Sequence, residues 1–220
     1  NPFPRISEEK RQAIEDFRTH VSPFKADFFS KNKMDFVMGT REGGILRDLD
    51  GELELYNLHC NGGVFNLGHR NDQMVSALKQ AVDEVDIGNH HLISQWRGRL
   101  GRALAEVLPG DVNWTIFSVS GGEAVDLALK IAWGYTRRPK VISAVGAYHG
   151  TTVGSVQAGD ARFLSPFHLD RRADFVQVPF GDLAALEREM DEHTAAVLLE
   201  VVPASSGMKL PPADYYKHLR

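Results

Sequence analysis

Cysteine is almost missing from this chain of 220 residues: Cys60 stands alone, so an internal disulfide is excluded and a reducing compartment is permitted. Long apolar runs are missing too. No stretch approaches the roughly 18 residues of a membrane-crossing helix, and the opening NPFPRISEEKRQAIEDF lacks the apolar core of a signal peptide. A soluble, cytoplasmic protein is the expectation by elimination. There is no large excess of one charge: 25 basic against 29 acidic residues gives −4, which offers nothing to nucleic acid or an anionic membrane. Several site motifs are absent as well. Neither GxxxxGK(S/T) nor a strand-following GxGxxG occurs, which removes the P-loop and the commonest dinucleotide fingerprint. In SVSGG, Ser118 occupies the first glycine's place of a nucleophile elbow, so hydrolase chemistry at Ser120 is disfavoured. No HExxH or paired CxxC is found, and His59-Cys60 and His90-His91 are adjacent pairs rather than ligands on one helical face, so no metal site is assigned.

What is present reads as a folded domain, with 43% hydrophobic residues. Ser7 to Val21 has helical spacing, with Ile14, Phe17 and Val21 on one side. Asp50-Gly51 is a hairpin turn, and Leu53 and Leu55 alternate with Glu52 and Glu54 as in a half-buried strand. The glycine-rich CNGGVFNLGHR reads as a functional loop. Asn71 or Asp72 then caps a helix through Val85 with Met74, Val75, Leu78 and Val82 facing inward. A second loop, DIGNHHLIS, leads to a helix from Ser94 to Leu108 that Pro109-Gly110 stops. From Trp114 the chain alternates strands (Thr115–Val119, Val141–Val145, Phe175–Val178, Ala196–Val202) with helices (Glu123–Tyr135, Leu183–Met190). That alternation predicts an α/β fold, a mostly parallel sheet with helices on both faces, preceded by an N-terminal helix and hairpin segment. The final DYYKHLR is amphipathic and carries no stop signal, which suggests a fragment interrupted in mid-helix.

In such sheets ligands gather beyond the carboxyl ends of the strands, and three features fall there. The turn Ser120-Gly121-Gly122-Glu123 has the spacing of a capping box. Its two glycines leave the first N–H groups of a helix open, where the dipole favours an anion. Tyr148-His149-Gly150 forms the next turn, and Glu200 follows an apolar strand where a carboxylate needs a partner. Each alone has an ordinary structural reading as a cap, a core aromatic or a strand-end acid. Together they describe a phosphate cradle with an aromatic ring beside it.

At these residues the sequence resembles the class III aminotransferases, pyridoxal 5′-phosphate (PLP) enzymes of fold type I. FSVSGGEAVDLALKIA resembles their F-x-x-S-G-(S/T)-E-A block, and GAYHGTT the following turn in which Tyr or Phe precedes His-Gly. VLLEVVPASSGMKLPPADYYKHLR resembles the stretch from E-P-x-Q-G to P-P-x-Y-x-x-x-L-R. GGVFNLGHRN and GGILRDLDGELELYNL match the blocks upstream in order. The resemblance implies that Gly121 and Gly122 hold the PLP phosphate, Tyr148 stacks on the pyridine ring, His149 shapes the turn, and Glu200 belongs to the hydrogen-bond network around the cofactor. It also implies a homodimer acting on an amine or amino acid and a 2-oxo acid. Residues 1–60 would belong to a small domain and 61–220 to the first part of the large PLP-binding domain. Phe65, His91 and Trp96 are candidate substrate-side residues. The family's covalently bound lysine and its pyridinium-binding aspartate find no match among these residues: Lys130 and Lys140 belong to a helix and a strand, and Lys209 to a loop. Two departures stand out. Gly122 replaces the usual Ser or Thr, which removes a hydroxyl contact worth about 1.5–3 kcal/mol. Val201 and Pro203 replace the Pro and Gln of E-P-x-Q, which weakens any analogy of substrate. An aminomutase, racemase or decarboxylase on the same fold, or an incompetent short chain, are the alternative readings.

Overall fold

The computed structural model describes residues 6–86 and 91–220. Its contacts divide the chain into two compact units, Asn1–Leu92 and Ile93–Arg220.

The first unit opens with α1 (Glu8–His20), capped by the Ser7 hydroxyl, and α2 (Pro23–Lys31), capped by Ser22 with Pro23 in the first turn. Three antiparallel strands follow in the order β1-β2-β3: β1 (Met38–Glu42), β2 (Ile45–Asp48) and β3 (Glu54–Tyr56). The Asp50-Gly51 turn forms as its sequence dictates, with Gly51 at φ +72°. Its Asp50 carboxylate accepts the Ser7 N–H at 3.1 Å and also the Ser7 hydroxyl, so the hairpin turn is bound to the cap of α1. Beneath this link Lys10 Nζ donates to Asp48 at 2.7 Å, with only 5% and 1% of the two side chains exposed. Helix α3 (Asp72–Glu84) is capped by Asn71.

Two expectations need correction here. Leu55 lies on β3 and Leu53 just before it, but both are exposed, and so are Met74, Leu78 and Val82 on α3. Alternation and helical spacing decide the element and which face is apolar. Whether that face is covered depends on a surface from elsewhere, and none covers it among the described residues. The loop DIGNHHLIS falls partly on residues 87–90, outside the described residues, and so does His90 of the adjacent histidine pair.

In the second unit α4 (Gln95–Val107) begins at the Ser94 cap and ends before Pro109-Gly110. The strand expected over Thr115–Val119 does not form: residues 112–118 have no regular secondary structure and make no ladder among the described residues. A β-rich sequence becomes a strand only beside a neighbour, and both sides of the central strand are taken. The ordering is β5-β4-β6, all parallel, with β4 (Lys140–Ala144) in the middle, β5 (Phe175–Val178) and β6 (Thr194–Leu198). Helix α5 (Gly121–Thr136) precedes these strands, α6 (Val153–Ala158) and α7 (Leu183–Glu189) connect them, and α8 (Tyr215–Leu219) comes last.

Adjacent residues of β4 show why both faces carry helices. Val141 packs with Leu129 of α5, Ala158 of α6 and Phe175, whereas Ile142 packs with Val178 and with Ala185 and Leu186 of α7. Successive side chains of a strand point to opposite faces. Val141 and Ile142 are both fully buried, each contributing about 1.5–3 kcal/mol. Polar groups complete the junction. Ser143 Oγ donates to Ala158 O at 2.7 Å, and Gln177 Nε2 donates to Ala144 O at 3.0 Å, which fixes the end of α6 against the sheet.

Candidate active site

The turns after β4 and before α5 meet in a cleft of about 540 Å³, lined by residues 120–122, Val125 and residues 148–152. On the α5 side, Ser120 Oγ accepts the Glu123 N–H at 3.2 Å, and the Glu123 carboxylate accepts the Val119 N–H at 2.7 Å. The reciprocal cap therefore reaches one residue farther back than the usual box. It leaves the Gly121 and Gly122 N–H groups without a protein acceptor among the described residues. A Cβ on Gly121 would meet nothing within 4 Å, so the space above it is open to a ligand.

Gly150 governs how closely the two turns approach. Its φ is +119°, and a Cβ there would lie 2.7 Å from Gly122 Cα and 2.8 Å from Ser155 Oγ. Only glycine fits. Tyr148, 42% exposed, borders the cleft. Its ring meets Phe163 edge-on at 5.1 Å, which limits its swing and leaves its face available. Glu200 lies two residues beyond β6, which ends at Leu198 rather than at the expected Val202, and its carboxylate accepts the Tyr148 N–H at 3.0 Å. That bond supplies the partner a carboxylate in this setting requires. The Glu200 backbone is held in turn: Tyr216 donates its hydroxyl to the carbonyls of Glu200 (3.0 Å) and Val201 (2.6 Å).

His149 is 8% exposed, and its Nε2 is buried with no partner among the described residues. Burial lowers its pKa below the ordinary histidine value, opposed by the nearby Glu200 charge. The imidazole is therefore favoured neutral. A second cavity, about 340 Å³ within the first unit, is lined almost wholly by apolar groups. Its polar side chains Ser30 and Asp35 bond each other at 2.7 Å, which leaves no convergent donors for an anion.

All five residues singled out from sequence, Gly121, Gly122, Tyr148, His149 and Glu200, thus meet at or beside one cleft. Comparison with known proteins gives the arrangement a family. The family model described as aminotransferase class-III matches residues 28–220. The chain belongs to the class-III aminotransferases. It is 53% identical over 211 residues to an uncharacterized aminotransferase of Archaeoglobus fulgidus, covering 96% of this chain and 49% of that protein. It is 32% identical over 206 residues to acetylornithine aminotransferase of Methanopyrus kandleri, covering 93% and 52%. Among solved structures, a transaminase from the marine bacterium Virgibacillus superposes with a TM-score of 0.84 at 22% identity, over 96% of this chain and 52% of that one. The taurine:2-oxoglutarate aminotransferase of Bifidobacterium kashiwanohense, solved with PLP and glutamate, gives 0.77 at 21%, over 99% and 53%. These likenesses place the fold as type I. The chain spans about half the length of the relatives it matches.

Four residues at or behind this cleft escaped the sequence reading. Asp126, one turn into α5, accepts the Ser155 N–H at 2.7 Å and so caps α6 from outside. Gly154 lets the two helices approach, since a Cβ there would stand 2.8 Å from the Asp126 carboxylate and would press on it. Thr152 and Ser155 place two hydroxyls 2.9 Å apart behind Gly122. The Thr-Thr following His149-Gly150 was the only signal for them. Of the other candidates, Phe65 packs on the His69 ring at 4.1 Å within the first unit, Trp96 carries Arg99 at 5.1 Å on α4, and His91 is exposed.

Proposed function

We propose that this chain is the N-terminal part of a PLP-dependent aminotransferase that moves an amino group from an amine or amino acid to a 2-oxo acid. The observation that carries the reading is the pair of N–H groups at Gly121 and Gly122 without a protein acceptor among the described residues, at a cleft that is open above Gly121 and is lined by an aromatic ring and by His149, whose Nε2 is buried and unpartnered. These groups suit PLP. The two amides and the α5 dipole would hold a phosphate dianion, and the Tyr148 face would set the plane of the ring. Glu200 keeps the Tyr148 backbone in place through its N–H. Neutral His149 avoids setting a second cation beside a pyridinium. When bound, the cofactor supplies an electron sink for charge developing at the amino carbon; the protein supplies orientation.

None of the residues lining the cleft is a lysine. Lys140 is engaged with Asp191 at 3.2 Å and with the Glu189 carbonyl, at the opposite end of β4. The lysine and the pyridinium-binding aspartate of the reading therefore belong to other parts of the full-length protein. Residues 1–60 as small-domain segment, a homodimer and a cytoplasmic location complete the proposal. Among the described residues no helix is long and apolar enough to cross a membrane. The test is to supply full-length protein with PLP, an amine or amino acid, and a 2-oxo acid. Formation of the new amino acid is expected to depend on the 2-oxo acid. Turnover of the amine without it would assign the protein to another PLP reaction, such as an aminomutase, racemase or decarboxylase. No PLP retention would end the reading.

A further inference from the structure

Gly122 brings no side-chain hydroxyl to the cleft, yet a hydroxyl stands close to where its Cβ would be. A Cβ built on Gly122 would lie 3.2 Å from Thr152 Oγ1 and 3.4 Å from Thr152 Cγ2, so the threonine occupies the space that a larger residue 122 would claim. Thr152 precedes α6 in the N-cap position, where a Thr hydroxyl ordinarily bonds the helix's third N–H. It makes no such bond. Asp126 takes the Ser155 N–H instead, at 2.7 Å. The Thr152 side chain is thereby released from its usual work, and the residue lines the cleft beside Gly122.

Resting on the PLP reading above, we infer that Thr152 donates the side-chain hydrogen bond to the cofactor phosphate that a Ser or Thr at position 122 would otherwise give. Ser155 acts behind it as a positioning residue. The protons balance. Thr152 Oγ1 and Ser155 Oγ lie 2.9 Å apart, and Ser155 Oγ also donates to the Thr152 carbonyl at 3.1 Å. That carbonyl already accepts the Val156 N–H at 2.9 Å, so it stays satisfied without the serine. The Ser155 O–H turns to Thr152 Oγ1, and the Thr152 proton is then free for an anion. Each hydroxyl keeps one acceptor, and the phosphate gains one donor besides the two amides.

The test is an exchange of hydroxyls in the full-length apoprotein, with the affinities for PLP and for pyridoxal, which has no phosphate, measured by titration. Thr152→Ala is expected to weaken PLP binding about ten-fold or more, the worth of a hydrogen bond to a charged group, and to leave pyridoxal binding within about two-fold. Thr152→Ser should keep the wild-type PLP affinity. Gly122→Ser in the Thr152→Ala background, where the crowding atoms are gone, should recover most of the loss. Equal weakening of PLP and pyridoxal by Thr152→Ala would mark the effect as structural and overturn the inference. So would an unchanged PLP affinity in Thr152→Ala beside a wild type that binds PLP. A wild type that does not bind PLP overturns the cofactor reading first, and this inference with it.

Discussion

At the scale of single residues the cleft depends on Tyr148, His149 and the glycines, each for a different physical reason. Tyr148 offers a ring face, so Tyr148→Phe should keep the PLP affinity of the full-length protein, whereas Tyr148→Ala lowers it at least several-fold. Equal affinities for the two variants would refute the stacking role. A Cβ at position 121 meets nothing within 4 Å, so Gly121→Val should leave the unfolding midpoint nearly unchanged while removing PLP binding. A retained affinity there would rule out this turn as the phosphate cradle. His149 gives the pH dependence. Its folded pKa lies below the unfolded value of about 6.5 because the cation would be desolvated. In acid the unfolded chain therefore binds the proton more readily than the folded one. The stabilisation is complete above about pH 6.5 and is lost as pH falls through the lowered folded value. Urea unfolding at pH 7.5 and 5.5 should show a smaller acid loss in His149→Gln than in wild type; equal losses would remove His149 from the account.

At the scale of elements, two links between helices and their surroundings carry stability. Lys10 and Asp48 are both buried, and Asp48 also accepts the Val37 N–H at 2.9 Å. Lys10→Met leaves that carboxylate charged and without its cation, at a cost of about 3–5 kcal/mol. A shift in urea midpoint equivalent to less than about 1 kcal/mol would show that water reaches Asp48. Asp126→Ala exposes an N–H of α6 at a cost of about 1–2 kcal/mol, the usual loss of a cap. Capping and periodicity are local, which is why the sequence alone located α1, α3, α4, α5 and α7 within a residue or two: Ser120 caps as read, Asn71 is the one of two candidates that caps, Asp182 caps α7, and Ser7 and Ser94, read as first helical residues, are the caps of α1 and α4. It also located the cleft, because strand ends and glycine turns announce themselves. The strand at Thr115–Val119 was misread because pairing is not local. The roles of Asp126, Thr152 and Ser155 were hidden for the same reason: they act between helices, across 29 residues in the case of Asp126 and Ser155, and no spacing rule reaches that far.

At the scale of the molecule, each unit has its own organisation. The second keeps a core on both faces of β4, and the first ties its helix to its hairpin through Ser7, Lys10, Asp48 and Asp50. The cleft of the second unit holds donors for a phosphate but no lysine. Borohydride reduction of the full-length protein with PLP, followed by peptide mapping, should place the label outside residues 1–220. A label on Lys130, Lys140 or Lys209 would contradict the proposed division of labour.

The approach of Gly150 to Gly122 has a consequence for descent as well as for binding. Two turns whose backbones meet without intervening side chains cannot drift independently. A methyl gained at position 150 is barred by Gly122 Cα and Ser155 Oγ together, and one gained at 122 presses on Thr152. Position 150 should therefore be frozen as glycine among close relatives. Positions 122 and 152 should change only as a pair, a hydroxyl appearing on one side of the gap as it is surrendered on the other.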